Sequence, residues 1–83
     1  MSKEEIFKLI AQHCRNIVPT LKDYNIQRND RFKEIGINSL DRAEIIEVIM
    51  EDLNLECPRV AVFGAKNIGE LADIFYEKSL LEV

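Results

Sequence analysis

Between Ser39 and Leu53 apolar side chains recur at three- and four-residue steps: Leu40, Ala43, Ile46 with Ile45, Ile49 with Met50, and Leu53. At 3.6 residues per turn, an α-helix gathers such a series on one side. Asn38 fits the N-cap of that helix, and Asp41 falls at N3, a short-armed version of the capping box. Asp41 and Glu44 put negative charge in the first turn, where the helix dipole favours it. This placement makes Ser39 the first helical residue, with its hydroxyl held at the tip and turned to solvent.

Two more segments carry the same period. From Lys3 to Val18, Ile6, Ile10, His13 or Cys14, and Ile17 form a stripe that Phe7 and Val18 widen. Ser2 and Glu5 make a capping box at its start, and Pro19, lacking an amide hydrogen, stops it. Asn67 and Glu70 repeat the capping pattern ahead of a last helix to about Leu80, with Ile68, Leu71, Ala72, Phe75 and Leu80 inward. Gly69 costs about 1 kcal/mol there relative to Ala and points to close packing. Pro58 suits the first position, and Gly64 the end, of a short helix carrying Val60, Val62 and Phe63.

Residues 19–37 have no single period. Leu21, Tyr24, Ile26, Phe32, Ile35 and Ile37 read as pins of a long ordered loop, because so long a connection is unusual unless it is tied to the core. Gly36 fits a tight turn just before the next helix. The expected fold is all-α: a small four-helix bundle, three main helices and one short third helix, with a long first loop. At 83 residues, the chain 1–83 is read as a single domain.

Charge is unevenly distributed. From Ser39 to Glu56 there are six acids and one base, Arg42, a local charge of −5 in a chain whose total is −4. Like charges three and four apart, such as Glu44 with Glu47 and Glu47 with Glu51, cost about 0.2–0.5 kcal/mol per pair. The stripe therefore does not help its helix fold. It reads either as a solvated face or as a docking surface for basic partners. A net acidic chain without Trp argues against nucleic acid. No apolar run approaches the roughly 20 residues that cross a bilayer, so no membrane insertion is expected. The acids of Met1–Glu5 stand where a signal peptide carries bare positive charge, which points to a cytoplasmic location. Nothing in the apolar pattern demands self-association, and a monomer is expected.

No catalytic constellation stands out. A nucleophile–base–acid triad needs three side chains in one recess, and His13 is the only imidazole. Cys14 reads as a small core residue, Cys57 as a loop or packing residue, and two cysteines so far apart make neither a disulfide framework nor a metal site. Ser39 has two readings. Serine is common at helix starts, and capping alone accounts for it. A phosphodiester on its hydroxyl would also sit beside free backbone amides at the positive end of the helix dipole. A carrier or binding domain is expected rather than an enzyme.

The segment Phe32-Lys33-Glu34-Ile35-Gly36-Ile37-Asn38-Ser39-Leu40-Asp41-Arg42-Ala43-Glu44 resembles the attachment segment of the acyl carrier protein family. That pattern is Phe, two residues, Leu or Ile, Gly, one residue, then Asp-Ser-Leu. The likeness runs over nearly the whole chain: long first loop, apolar-plus-acid second helix, Pro-led third helix, fourth helix opening near Ile68. It implies a non-catalytic carrier with 4′-phosphopantetheine on Ser39, delivered from coenzyme A by a phosphopantetheinyl transferase. The arm holds acyl groups as thioesters and shuttles them among enzymes such as an acyltransferase or a ketosynthase.

By the same resemblance, Leu40, Asp41, Ala43, Glu44, Glu51 and Asp52 meet basic partner surfaces, and Ile49, Val60, Phe63 and Ile68 line an acyl cleft between the second and third helices. Asn38 stands where the family has Asp; it caps a helix as well but removes one charge that a transferase could read. Glu47 replaces a position often apolar in fatty-acid carriers, and Arg59 and Lys66 bring bases near the third helix. The run Asp41-Arg42-Ala43-Glu44-Ile45-Ile46 is more similar to carriers of bacterial polyketide assembly. Carriers of fatty-acid synthesis or of amino acids, and an unmodified acidic interaction module, are the alternatives.

Overall fold

In a computed structural model, which describes residues 1–81, the chain is helical throughout its regular structure. The order is α1 (Lys3–Ile17), a 3₁₀ turn (Pro19–Leu21), α2 (Ser39–Leu53), α3 (Arg59–Phe63) and α4 (Ile68–Leu81), with no strand among the described residues. α1 packs against both α2 and α4, and α3 leans on α4.

Local chemistry sets these boundaries. At α1, Ser2 Oγ accepts from the Glu5 amide at 3.1 Å while Glu5 Oε1 accepts from the Ser2 amide at 2.8 Å, the full capping box. At α2, Asn38 is extended and its Oδ1 accepts from the Asp41 amide at 2.8 Å. That helix ends on Asn54, whose φ of 52° is left-handed, a conformation asparagine tolerates better than most side chains. The cap of α4 is shifted by one residue: Asn67 Oδ1 accepts from Glu70, but Glu70 Oε1 accepts from Lys66 rather than from Asn67. Pro58 lies just outside α3 as its N-cap, one residue earlier than its expected place, and Gly64 ends the helix in right-handed conformation.

The core draws on every helix. Ile6, Ile10 and Cys14 of α1 meet Ile45, Ile46 and Ile49 of α2, Val62 of α3, and Ile68, Leu71 and Phe75 of α4, all fully buried. Each large apolar side chain so buried is worth about 1.5–3 kcal/mol. Of the two residues left open on α1, Cys14 takes the core position and His13 the edge. Leu80 is exposed instead of inward, beyond Phe75, the last buried position of α4.

The crossover from residue 22 to residue 38 is irregular but anchored. Leu21, Ile26, Phe32 and Ile37 are buried, while Ile35 is half-buried. Tyr24 is not a pin: it is exposed, and its hydroxyl donates to the Asp30 carboxylate at 3.0 Å. Backbone bonds fix the loop to the start of α4, Ile68 N–H to Asp30 O at 3.0 Å and Gly69 N–H to Arg28 O at 2.7 Å. A Cβ on Gly69 would stand 2.9 Å from both Cβ and the carbonyl oxygen of Arg28, which is why glycine occupies that helical position.

Candidate functional site at the tip of the second helix

The approach to α2 is a short chain of local decisions. Gly36, at φ 92°, makes the turn that side chains disfavour. Ile37 then plunges into the core and donates its amide to Phe32 O at 2.8 Å. Held between that anchor and the helix, Asn38 and Ser39 are lifted to the surface. Ser39 is the first residue of α2 and exposed, and its hydroxyl has no hydrogen-bond partner among the described residues. It borders a hollow of about 370 Å³ shared with Phe32, Lys33, Ile37, Asn38 and Arg42. Lys33 is exposed with no ion pair among the described residues. An oxyanion on Ser39 would meet the unspent amides of the helix start and this free cation.

The acids of α2 divide into two groups. Glu47 pairs with Arg59 of α3, and Asp52 Oδ2 lies 2.6 Å from His13 Nε2 on α1. Asp41, Glu44 and Glu51 have no cationic partner among the described residues. Leu40, in the first turn with Asp41, is 82 % exposed, while Ala43 is half-buried. Of the six residues expected to meet partners, Asp52 is thus the one already engaged within the bundle.

Arg42 reads in the sequence as the lone base that dilutes the acidic stripe. Its guanidinium instead turns inward. It donates to the carbonyls of Phe63 at 2.9 Å and Ala65 at 2.6 Å, and lies 4.3 Å from the centroid of the Phe32 ring. Burial pulls its pKa below the ordinary guanidinium value, and its Nε is enclosed without an acceptor. The outward charge of α2 is therefore more negative than its sequence suggests. This tie between α2 and the end of α3 has no side-chain signature: both acceptors are backbone carbonyls more than 20 residues away.

Of the four residues expected to line an acyl cleft, three lie inside the bundle and one lies on its surface. Ile49 and Ile68 are fully buried in the common core, and Phe63 is half-buried 6.0 Å below the Arg42 guanidinium. Val60 is 88 % exposed on α3. A five-residue helix has scarcely more than one turn, so periodicity could not orient it.

Desolvation pushes the Cys14 thiol up to about 12, far from the thiolate a nucleophile requires. His13 has its Nε2 engaged by Asp52. Among the described residues no group of three His, Cys, Asp or Glu side chains could hold a metal ion.

Residues 15–75 match the family model described as a phosphopantetheine attachment site, a span that includes Ser39. The chain is 41% identical over 78 residues to the polyketide biosynthesis acyl-carrier-protein AcpK of Bacillus subtilis (strain 168), covering 94% of this chain and 95% of that protein. It also superimposes with a TM-score of 0.88, at 51% identity, on a chain of the crystal structure of the curacin biosynthetic pathway HMG synthase in complex with acetyl donor-ACP. That match covers 94% of this chain and all of the other, so the matched chain has the length of a carrier.

Proposed function

The chain belongs to the phosphopantetheine-attachment family of acyl carrier proteins, non-catalytic carriers, and from that premise we propose that Ser39 is the residue that bears the arm. The exposed, unpartnered hydroxyl of Ser39 at the first residue of α2, within the matched span, carries this reading. In the attachment step Ser39 Oγ attacks the pyrophosphate of coenzyme A. A new P–O bond to serine forms, the P–O bond to the adenosine nucleotide breaks, and a base of the phosphopantetheinyl transferase takes the serine proton. Once bound, the arm supplies a thiol on which acyl groups ride as thioesters. The chain's own contribution is placement: α2 presents the tether, and the tether raises the local concentration of cargo at a docked enzyme.

The pathway we propose is polyketide or related secondary-metabolite synthesis, on the likeness to the Bacillus carrier. The likeness to a chain from an acetyl donor-ACP complex supports a small acyl cargo handed to a condensing enzyme of the HMG synthase kind. Leu40, Asp41, Ala43, Glu44 and Glu51 form the docking face, an exposed apolar side chain at the head of a helix whose unpaired carboxylates suit a basic surface. The test is intact mass after incubation with coenzyme A and a broad-specificity transferase. One phosphopantetheine is expected on the native chain and none on Ser39→Ala. Absence of the addition with several transferases, or its persistence in Ser39→Ala, refutes the assignment.

A further inference from the structure

Arg42 is both a wall of the hollow beside Ser39 and the tie between α2 and the far end of α3. We propose that Arg42 acts as a latch on the α2–α3 seam and sets the minimum length an acyl chain must have before the bundle shelters it. The proposal rests on the arm being attached to Ser39. It adds which cargo this carrier leaves exposed at the arm's end and which residue decides that.

The geometry is that of a closed seam. Two hydrogen bonds hold the guanidinium to the Phe63 and Ala65 carbonyls, the Phe32 ring stacks against it, and Phe63 lies beneath. Beside it, Arg59 of α3 pairs with Glu47 of α2, a second strap across the same seam. Ile49, Val62 and Ile68 behind it have no exposed surface. A chain entering between α2 and α3 must break both hydrogen bonds and unstack Phe32, leaving a cation and two carbonyls to find new partners. In exchange it buries its own methylenes, each contributing a fixed small increment. An acetyl group offers a single methyl, too little to open the seam. Each added methylene shifts the balance inward, so shelter begins at a definite chain length. Removing the latch shortens that length.

The experiment loads the full chain and Arg42→Met with acetyl, butyryl, hexanoyl and octanoyl arms from the corresponding coenzyme A thioesters. Methionine keeps an unbranched apolar stem but loses the donors. Intact mass establishes loading, so failure of arm attachment is seen separately from failure of the latch. Two readouts follow: the rate at which hydroxylamine cleaves each thioester, and the NMR shifts of the Ile49 and Ile68 methyls. A chain inside the bundle nine-tenths of the time slows cleavage about tenfold.

Acetyl is expected to be unprotected in both proteins. Protection, with moved Ile49 and Ile68 signals, is expected to begin at a shorter chain in Arg42→Met than in the native protein. An equal or longer onset in the variant overturns the proposal, as does the lack of protection at every length in both. Circular dichroism checks the variant's fold. If Arg42→Met unfolds, Arg42→Lys, which keeps the charge but not the fork of donors, is expected to give an intermediate onset, and an onset equal to the native one overturns the proposal.

Discussion

Replacing Arg42 with alanine is expected to weaken the fold by about 3 kcal/mol, through contacts in which no carboxylate takes part. Two hydrogen bonds from the guanidinium, at 2.9 and 2.6 Å, are lost. Bonds from a charged donor contribute about 1.5–3 kcal/mol each, and the half-buried position of Arg42 puts both at the low end. Stacking on Phe32 at 4.3 Å adds about 1 kcal/mol. Against this, Nε is enclosed without an acceptor, and releasing it returns about 1 kcal/mol.

A loss of this size is a large part of the roughly 4–12 kcal/mol available to a domain of this length. It corresponds to a fall in Tm of about 12–24 °C. Urea unfolding of the unmodified protein, followed by far-ultraviolet circular dichroism, measures it. The midpoint should fall while the m-value holds, since the surface exposed on unfolding hardly changes. Arg42→Lys should recover part of the loss. A loss under about 1 kcal/mol in Arg42→Ala would mean that solvent replaces these contacts at no cost, and the reasoning would fail.

Two more expectations come from the packing. Gly69→Ala should destabilise by about 1–3 kcal/mol although alanine is the better helix former, because the added carbon meets the Arg28 backbone; an increase in the urea midpoint would contradict the contact. Cys14 has its thiol pKa raised by burial from 9.0 to about 12, so between those values the folded chain keeps a proton that the unfolded chain has released. Stability should therefore be insensitive to this group below pH 9.0 and fall as pH rises through that window towards about 12. Unfolding free energies of the native protein and Cys14→Ala, compared across it, should lose their difference in slope if the thiol is not the cause.

What the sequence discloses and what it hides follow from the range of the interactions involved. The caps at Ser2, Asn38 and Asn67 are bonds between residues three apart, so local patterns suffice to find them. The buried stripes of α1, of α2 beyond its exposed Leu40, and of the body of α4 are legible for the same reason, since each is long enough to have a face. The surface position of Ser39 follows from the cap alone. The exposure of Val60 is not legible because α3 is too short to define a side, and Leu80 is misplaced because periodicity does not record where the bundle ends. Tyr24 looks like a pin because its ring is apolar, yet its hydroxyl finds Asp30 in the loop itself. Arg42 is hidden most deeply: its charge suggests solvent or a carboxylate, while its partners are main-chain oxygens and a ring brought near only by the fold.

The strapping of the crossover onto α4 has a consequence for where an anion can settle. Asp30 and Arg28 present their carbonyls to the opening amides of α4, so that helix start is filled by the chain's own backbone. The amides of Ser39 and Leu40 at the head of α2 have no partner among the described residues. The loop that looks like slack between two helices thus works as a stopper on the start of α4, while the head of α2, where the serine stands, keeps its first two amides open.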